Sequence, residues 1–485
     1  MRSVLRIVVV GLMAVAAGVV YAAPAERVPN VVVFLVDDLG ANDLGCYGST
    51  FYETPNIDRL AAGGVRFTAA YSACPVCSPT RASMMTGRYP QRVGITDFIN
   101  GSGVNQPENW KRNTRLLPAT NSDELKLDER TIAEALHDAG YATFFAGKWH
   151  LGGQGFLPTD QGFDVNKGGL DWGQPKSYYS PYRNPKLADG PLGESLTLRL
   201  ADETCQFIDA NREKPFFAYL SFYSVHTPLQ SRKELIQKYD AKAADRKLTD
   251  PEFGEERDSK VRFVQGHATY AAMIEETDTA VGMVLDKLEQ LGLSDNTIVL
   301  FTADNGGLCT APTWSTSNRP LRAGKGWMYE GGIRVASILR WPGVVKAGST
   351  CETPIISMDY FPTFVEAAGQ RLKDAKKVDG VSLVPLLRGE KLAGRALYWD
   401  YPHYGNQGGA PASGMREGKW KLIEWREDGS LELFDLEADP SETTNLAESH
   451  ADVAGRMHSG LEKWRRDVGA KSPTKNPKFV EGGGK

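Results

Sequence analysis

Short, nearly continuous apolar runs recur along the chain at residues 30–36, 141–146, 215–223 and 296–303. Their length and lack of helical spacing predict strands buried on both faces, as in a parallel α/β sheet. Between them lie stretches with helical character. Residues 54–64 read as a short helix leading to a strand at 65–70. Residues 128–139 read as a helix capped by Asp128 and stopped by Gly140. Further helices are expected around 194–211 and 266–291, and a strand over 333–341. The alternation predicts one large α/β domain over residues 23–375, with a central, mostly parallel mixed sheet flanked by helices.

Beyond residue 375 the texture changes. Residues 396–401, 413–425 and 431–436 read as antiparallel strands with polar turns, one of them at Asp428-Gly429, followed by a helix over 449–468. This predicts a smaller C-terminal α+β subdomain over 376–470 with an antiparallel sheet. The Lys-, Pro- and Gly-rich tail, 471–485, is expected to be flexible. Two domains also suit a chain of 485 residues.

At the other end, residues 1–22 have the form of a signal peptide. Arg2 and Arg6 supply the charged start, 7–20 the apolar region and Val20-Tyr21-Ala22 the cleavage site. The apolar run is too short to favour a membrane anchor, so export to the periplasm or beyond is expected, without stable membrane insertion. Six scattered cysteines do not make a disulfide framework. A net charge of −4 provides no global basic field, which argues against a nucleic-acid partner.

Charge enters locally, where the apolar runs stop. The first ends in Asp37-Asp38 and the last in Asp304-Asn305; between them come Lys148 and His150, then His226, and Lys325 follows on a glycine-flanked loop. Strand ends are the usual ligand location in open α/β sheets. Four hard oxygen donors suit Ca²⁺ or Mg²⁺ better than zinc. The cationic groups suit a sulfate or phosphate bound at that metal.

One further stretch is distinctive: Cys74-Pro75-Val76-Cys77-Ser78-Pro79-Thr80-Arg81. A helix is expected to start near Pro79, since proline is tolerated in a first turn. That places Cys77 at or just before a helix N-terminus, which favours negative charge, with Arg81 on the same side four residues on. A redox pair, half a zinc site and a plain buried cysteine are competing readings of this stretch taken alone.

The pattern Cys77-x-Pro79-x-Arg81 resembles the signature of the type I sulfatases, in the alkaline phosphatase superfamily. The segments at Asp37-Asp38, Gly147-Lys148-Trp149-His150, Val225-His226-Thr227-Pro228, Asp304-Asn305 and Gly324-Lys325-Gly326 follow the same family order. The resemblance implies that Cys77, rather than Cys74, is oxidised to Cα-formylglycine by a separate maturation enzyme. It implies that Asp37, Asp38, Asp304, Asn305 and the modified Cys77 hold calcium, with magnesium as the alternative ion. Arg81 would stabilise the aldehyde hydrate and the metal site. Lys148, His226 and Lys325 would hold sulfate oxygens, and His150 would help remove a proton from the hydrate. The implied activity is hydrolysis of sulfate monoesters. A phosphate or phosphonate ester hydrolase of the same superfamily, or a non-catalytic sulfated-glycan binder, are the alternatives.

The chain further resembles secreted bacterial carbohydrate sulfatases, which suggests a sulfated carbohydrate substrate, with exo action on galactose or N-acetylgalactosamine sulfates as the narrowest guess. The loop 153–193 is too long for a plain connection and is expected to face substrate. Asp171, Trp172, Tyr178 and Tyr179 within it, Trp314, Trp327 and Tyr329 further on, and His403 near the C-terminus are candidate sugar contacts.

Overall fold

A computed structural model describes residues 28–247, 249–372 and 377–482. The leader expected at 1–22 and the junction expected near residue 375 lie outside them. Strand β1 (Asn30–Val36) is buried along its whole length, and Val31 to Val36 expose no surface. Branched side chains suit a pleated surface, and each such side chain buried stabilises the fold by about 1.5–3 kcal/mol. Seven more strands complete the sheet: β2 (Val65–Phe67), β3 (Ala142–Gly147), β4 (Val165–Lys167), β5 (Phe216–Ser221), β6 (Thr297–Ala303), β7 (Ser337–Arg340) and β8 (Ser349–Cys351). Their order is β8-β2-β7-β6-β1-β5-β3-β4. All pairings are parallel except those of β7 with β6 and β2.

Register decides what meets at the sheet's edge. Val36 pairs with Ala303 on parallel strands, so Asp37 and Asp304, the next residues, leave the sheet side by side. Gly147 pairs with Ser221, which brings Lys148 up beside them. Gly147 has φ +99, and a Cβ there would lie 1.8 Å from the Ser221 carbonyl oxygen. Only glycine fits that approach.

The helices depart from expectation in their starts. Helix α1 (Cys77–Thr86) begins at Cys77, two residues before Pro79, with Val76 as an extended cap. Helix α2 (Ile132–Asp138) is capped by Thr131 and not by Asp128. Thr131 accepts from Glu134 N at 3.1 Å and its own N–H reaches Glu134 Oε2 at 2.7 Å, a capping box that outcompetes a lone aspartate upstream. Helices α3 (Leu196–Ala210) and α4 (Ala268–Gln290) fall where expected.

The C-terminal sheet is antiparallel: β9 (Leu397–Tyr401), β10 (Ala412–Glu417), β11 (Trp420–Trp425) and β12 (Leu431–Asp435). The run 413–425, expected as one strand, is a hairpin that turns at Gly418 with φ +59. Helix α5 (Ala451–Asp467) packs on this sheet through Met457, Leu461 and Trp464. The same apolar cluster takes in Tyr71, Cys74 and Val76 from the cysteine stretch and Trp327 and Tyr329 from the segment after Lys325. The C-terminal sheet therefore braces two active-site segments from behind. The tail, expected to be flexible, is docked: Thr474 and Lys475 pair with Leu117 and Leu116, and Asn476 is buried.

Candidate active site

Asp37, Asp38, Asp304 and Asn305 meet at the C-terminal ends of β1 and β6, each at most 1 % exposed. Asp38 adopts φ +60, a left-handed conformation that aspartate tolerates better than most residues. Its N–H points to Asp304 Oδ1 at 3.3 Å, and Asn305 Nδ2 donates to Asp38 Oδ1 at 2.8 Å.

Cationic side chains close on these acids one by one. Lys148 Nζ lies 2.6 Å from Asp37 Oδ2, and Lys325 Nζ lies 2.7 Å from Asp38 Oδ1. Arg81 places Nε and Nη2 at 2.9 and 2.7 Å from Asp304 Oδ2. Its Nη1 donates to Ser221 Oγ at 2.7 Å and to the Lys148 carbonyl at 2.8 Å. Such buried pairs are costly to break from one side. Lys325 is positioned through the backbone, its N–H on the Gly307 carbonyl at 3.1 Å and that of Gly326 on Pro75 at 2.8 Å. The lysine loop is thus tied both to the Asp304-Asn305 turn and to the cysteine stretch.

Both histidines have one nitrogen fixed. His150 Nε2 donates to the Ile99 carbonyl at 2.8 Å, and its Nδ1 is buried without a partner among the described residues. His226 Nδ1 donates to the Thr227 carbonyl at 2.9 Å, leaving Nε2 3.6 Å from Asp38 Oδ2. Burial, with Lys148 nearby, holds His150 well below the usual imidazole range. Burial and Lys325 push His226 down to about 3. Tyr178, a proposed sugar contact, is buried instead: its hydroxyl donates to the Tyr223 and His226 carbonyls at 2.6 and 2.8 Å and props the histidine loop.

The acids respond to the same crowding. Burial lifts Asp37 most, Lys148 and Arg81 draw it down, and Asp304 and Asp38 push it up, to about 8. For Asp38 burial is outweighed by Lys325 and His226, which hold its carboxyl well below the usual range. Asp37 Oδ1 and Asn305 Oδ1 are buried acceptors without a hydrogen-bond donor among the described residues. Ligand atoms of Asp37, Asp38 and His226 lie within 4.8 Å of one another. Unsatisfied, closely spaced, hard oxygen donors fit a divalent cation of the calcium or magnesium type.

Cys77, the first residue of α1, is 3 % exposed. Burial pushes its thiol up despite Lys148 and Lys325, so the thiol is protonated at neutral pH and is a poor nucleophile in its own right. All six cysteines are free.

Above these groups opens a cleft of about 490 Å³. Asp38, Cys77, His150, His226 and Lys325 line its floor, and Asp171, Trp172 and Gln174 one wall. Lys176 Nζ sits 4.5 Å over the Trp172 ring. His403 does not reach the cleft: it is 1 % exposed, with Nε2 2.9 Å from Thr96 Oγ1. Trp327 and Tyr329 are interior packing, Tyr179 donates to Glu276, and Trp314 lines a separate groove. The sequence reading missed Ser221, whose only signal is that it is the one small polar residue inside the apolar run 215–223. It also missed Asn406 and Gln407, which line the cleft from the C-terminal region and carry no local signal at all.

A mostly parallel sheet with paired acids and basic groups at its strand ends is the arrangement that the resemblance to the sulfatases implies. The sulfatase family model matches residues 29–370, and a model described as N-sulphoglucosamine sulphohydrolase, C-terminal, matches 323–467. A sulfatase of Formosa agariphila is 32% identical over 91% of this chain and 89% of its own. The N-acetylgalactosamine-6-sulfatase of Rattus norvegicus is 31% identical over 93% of this chain and 82% of its own. The crystal structure of Ps i-CgsB superposes with a TM-score of 0.74 at 28% identity, over 94% of this chain and 95% of that one. The chain belongs to the sulfatase family and is a sulfuric ester hydrolase. Among the described residues no helix is long and apolar enough to cross a membrane.

Proposed function

We propose that this chain is an exported, calcium-dependent carbohydrate sulfatase whose nucleophile derives from Cys77. The observation that carries the reading is the position of Cys77 at the start of α1, on the floor of a cleft shared with Asp38, His150, His226 and Lys325. Asp37, Asp38, Asp304 and Asn305 would hold the ion, together with the modified residue 77. When bound, the ion offsets the repulsion between sulfate oxygens and an incoming nucleophile. An aldehyde hydrate at position 77 would supply a nucleophilic hydroxyl there and a second hydroxyl from which a base could take the proton.

The chain's own residues have defined parts in this. With an ion among the acids, Lys148 and Lys325 are no longer needed to neutralise Asp37 and Asp38, and their ammonium groups serve the sulfate oxygens. His226 joins them once the bound anion's charge raises the imidazole from about 3 far enough to put a proton on Nε2. His150 keeps its proton on Nε2, held by Ile99, so its Nδ1 is a ready acceptor for the hydrate proton. Arg81, locked onto Asp304, Ser221 and Lys148, keeps the strand ends in register.

A sugar substrate is supported by the wall of Asp171, Trp172 and Gln174, since an aromatic face beside polar groups suits a sugar ring. It is supported too by relatives named N-acetylgalactosamine-6-sulfatase and by a solved neighbour in complex with k-i-k-neocarrahexaose. Galactose or N-acetylgalactosamine sulfates are accordingly the first to try. The test is a screen of mono-sulfated sugars differing only in ring and sulfate position, with phosphate esters alongside, using protein produced together with a formylglycine-generating enzyme. Turnover of at least one sugar sulfate is expected; preference for the phosphate would contradict the reading.

A further inference from the structure

Beside the cleft lies a second, larger cavity of about 700 Å³. Asn406 and Gln407 line both, and the loop that gives Leu308 and Pro312 to the cleft gives Thr310 and Ala311 to this groove. The two openings are therefore neighbours across one shared wall.

The groove carries three cations, Arg112, Arg257 and Lys260, none in a contact ion pair among the described residues; the charge of Arg257 does reach the Asp428 carboxyl. Each is held against aromatic rings. Arg112 lies 5.2 Å from the Trp110 ring and 5.8 Å from that of Tyr404, and donates to the Tyr404 carbonyl at 3.1 Å. Arg257 lies 3.4 Å over Trp425. Lys260 Nζ is 4.1 Å from the Phe253 ring and 5.7 Å from that of Trp314. A cation on a ring face is fixed in place while its charge is not neutralised, so an external anion can still pair with it. Acids are present at the rim but committed: Glu427 accepts from Tyr404 at 2.6 Å, and Glu481 lies 3.8 Å from Arg115. Asp258 also lines the wall.

Fixed cations interleaved with aromatic rings, next to a site that takes a sulfate ester, match one chemistry: a sugar chain bearing sulfate or carboxylate groups. We propose that this groove binds further residues of a polyanionic oligosaccharide whose sulfated end occupies the active-site cleft. The inference rests on the carbohydrate reading above and deepens it, from a sugar sulfate to a chain of them.

The experiment uses the full-length Cys77→Ser protein, so that no ligand is turned over. Calorimetry at fixed moderate salt compares disaccharide and hexasaccharide fractions of chondroitin 6-sulfate, heparin and κ-carrageenan. In at least one series the hexasaccharide should bind about tenfold tighter or more, a preference that weakens as salt is raised. Arg257→Gln with Lys260→Gln should bring the two lengths of that series to similar Kd. Equal affinity for both lengths in all three series would overturn the groove, as would a length preference that survives in the double variant. Should no fraction bind while the matured protein turns over 4-nitrophenyl sulfate, the carbohydrate reading itself fails and takes the groove with it.

Discussion

Lys148 Nζ lies 2.6 Å from Asp37 Oδ2, and neither side chain has any exposed surface. Without an ion, the lysine is the nearest neutralising charge for an acid that burial already disfavours. Replacing Lys148 by Ala should therefore destabilise the calcium-free protein, but by less than the cost of an orphaned buried charge, about 3–5 kcal/mol, because Asp37 can keep its proton. Saturating calcium should recover much of that loss, because the ion takes over the lysine's electrostatic role. Thermal unfolding of parent and Lys148→Ala proteins, with and without calcium, checks this; the same destabilisation in both conditions would argue against an ion at Asp37.

The Asp304-Asn305 pair at the end of the neighbouring strand gives an independent check. Asp304 is fixed by Arg81 and Asn305 by Asp38. Asp304→Ala should strip calcium, measured as bound metal after dialysis, and abolish turnover. Unchanged metal content with lost activity would move Asp304 out of the ion's ligand set.

His226 faces the cleft beside Lys325 and Asp38. Cleaving a sugar sulfate expels an alkoxide that needs a proton or a close cation, whereas an activated aryl sulfate expels a stable phenolate. His226→Ala should lower kcat/KM on a sugar sulfate by about 10²–10⁴-fold and affect the aryl sulfate far less, each relative to parent protein. Equal losses on both would make His226 a sulfate-binding group instead.

A buried cluster links the C-terminal sheet to the lysine loop. Lys421 on β11 lies 3.0 Å from Glu330 and 2.8 Å from Glu442, and Glu330 follows Lys325 by five residues. Burial, partly offset by Lys421 and reinforced by Glu330, pushes Glu442 up from its usual 4.5 to about 7. An acid whose folded pKa is raised contributes stability that is fully present below pH 4.5 and is lost as pH rises toward 7. Glu442→Gln should flatten that fall in a series of denaturant melts at pH 4.5 to 7.5. An unchanged slope would mean that Glu442 does not retain its proton in the fold.

Much of this was legible beforehand, for physical reasons that differ by feature. Strands such as β1 and β6 announce themselves because burial on both faces permits nothing but apolar residues. The residues that follow them, Asp37-Asp38 and Asp304-Asn305, stand out because a wholly apolar run stops abruptly at polar side chains. Helix starts were less legible: Asp128 looked like a cap, but Thr131 with Glu134 offered two reciprocal bonds. The hairpin at Gly418 was hidden because its two-residue turn, Gly418-Lys419, lacks the Asn-Gly or Asp-Gly signal of a tight hairpin. His403, Trp327 and Tyr329 misled because polar and aromatic side chains can be buried when packed or hydrogen-bonded. Asn406 and Gln407 were invisible because tertiary packing alone carries them to the cleft.

The most direct test of the central claim is peptide mass analysis of position 77 in parallel with activity. Protein produced with a formylglycine-generating enzyme should carry an aldehyde at Cys77 and an intact thiol at Cys74, with turnover proportional to the aldehyde fraction, and Cys77→Ala should fold yet release no sulfate. Full sulfatase activity in protein whose Cys77 thiol is intact would contradict it.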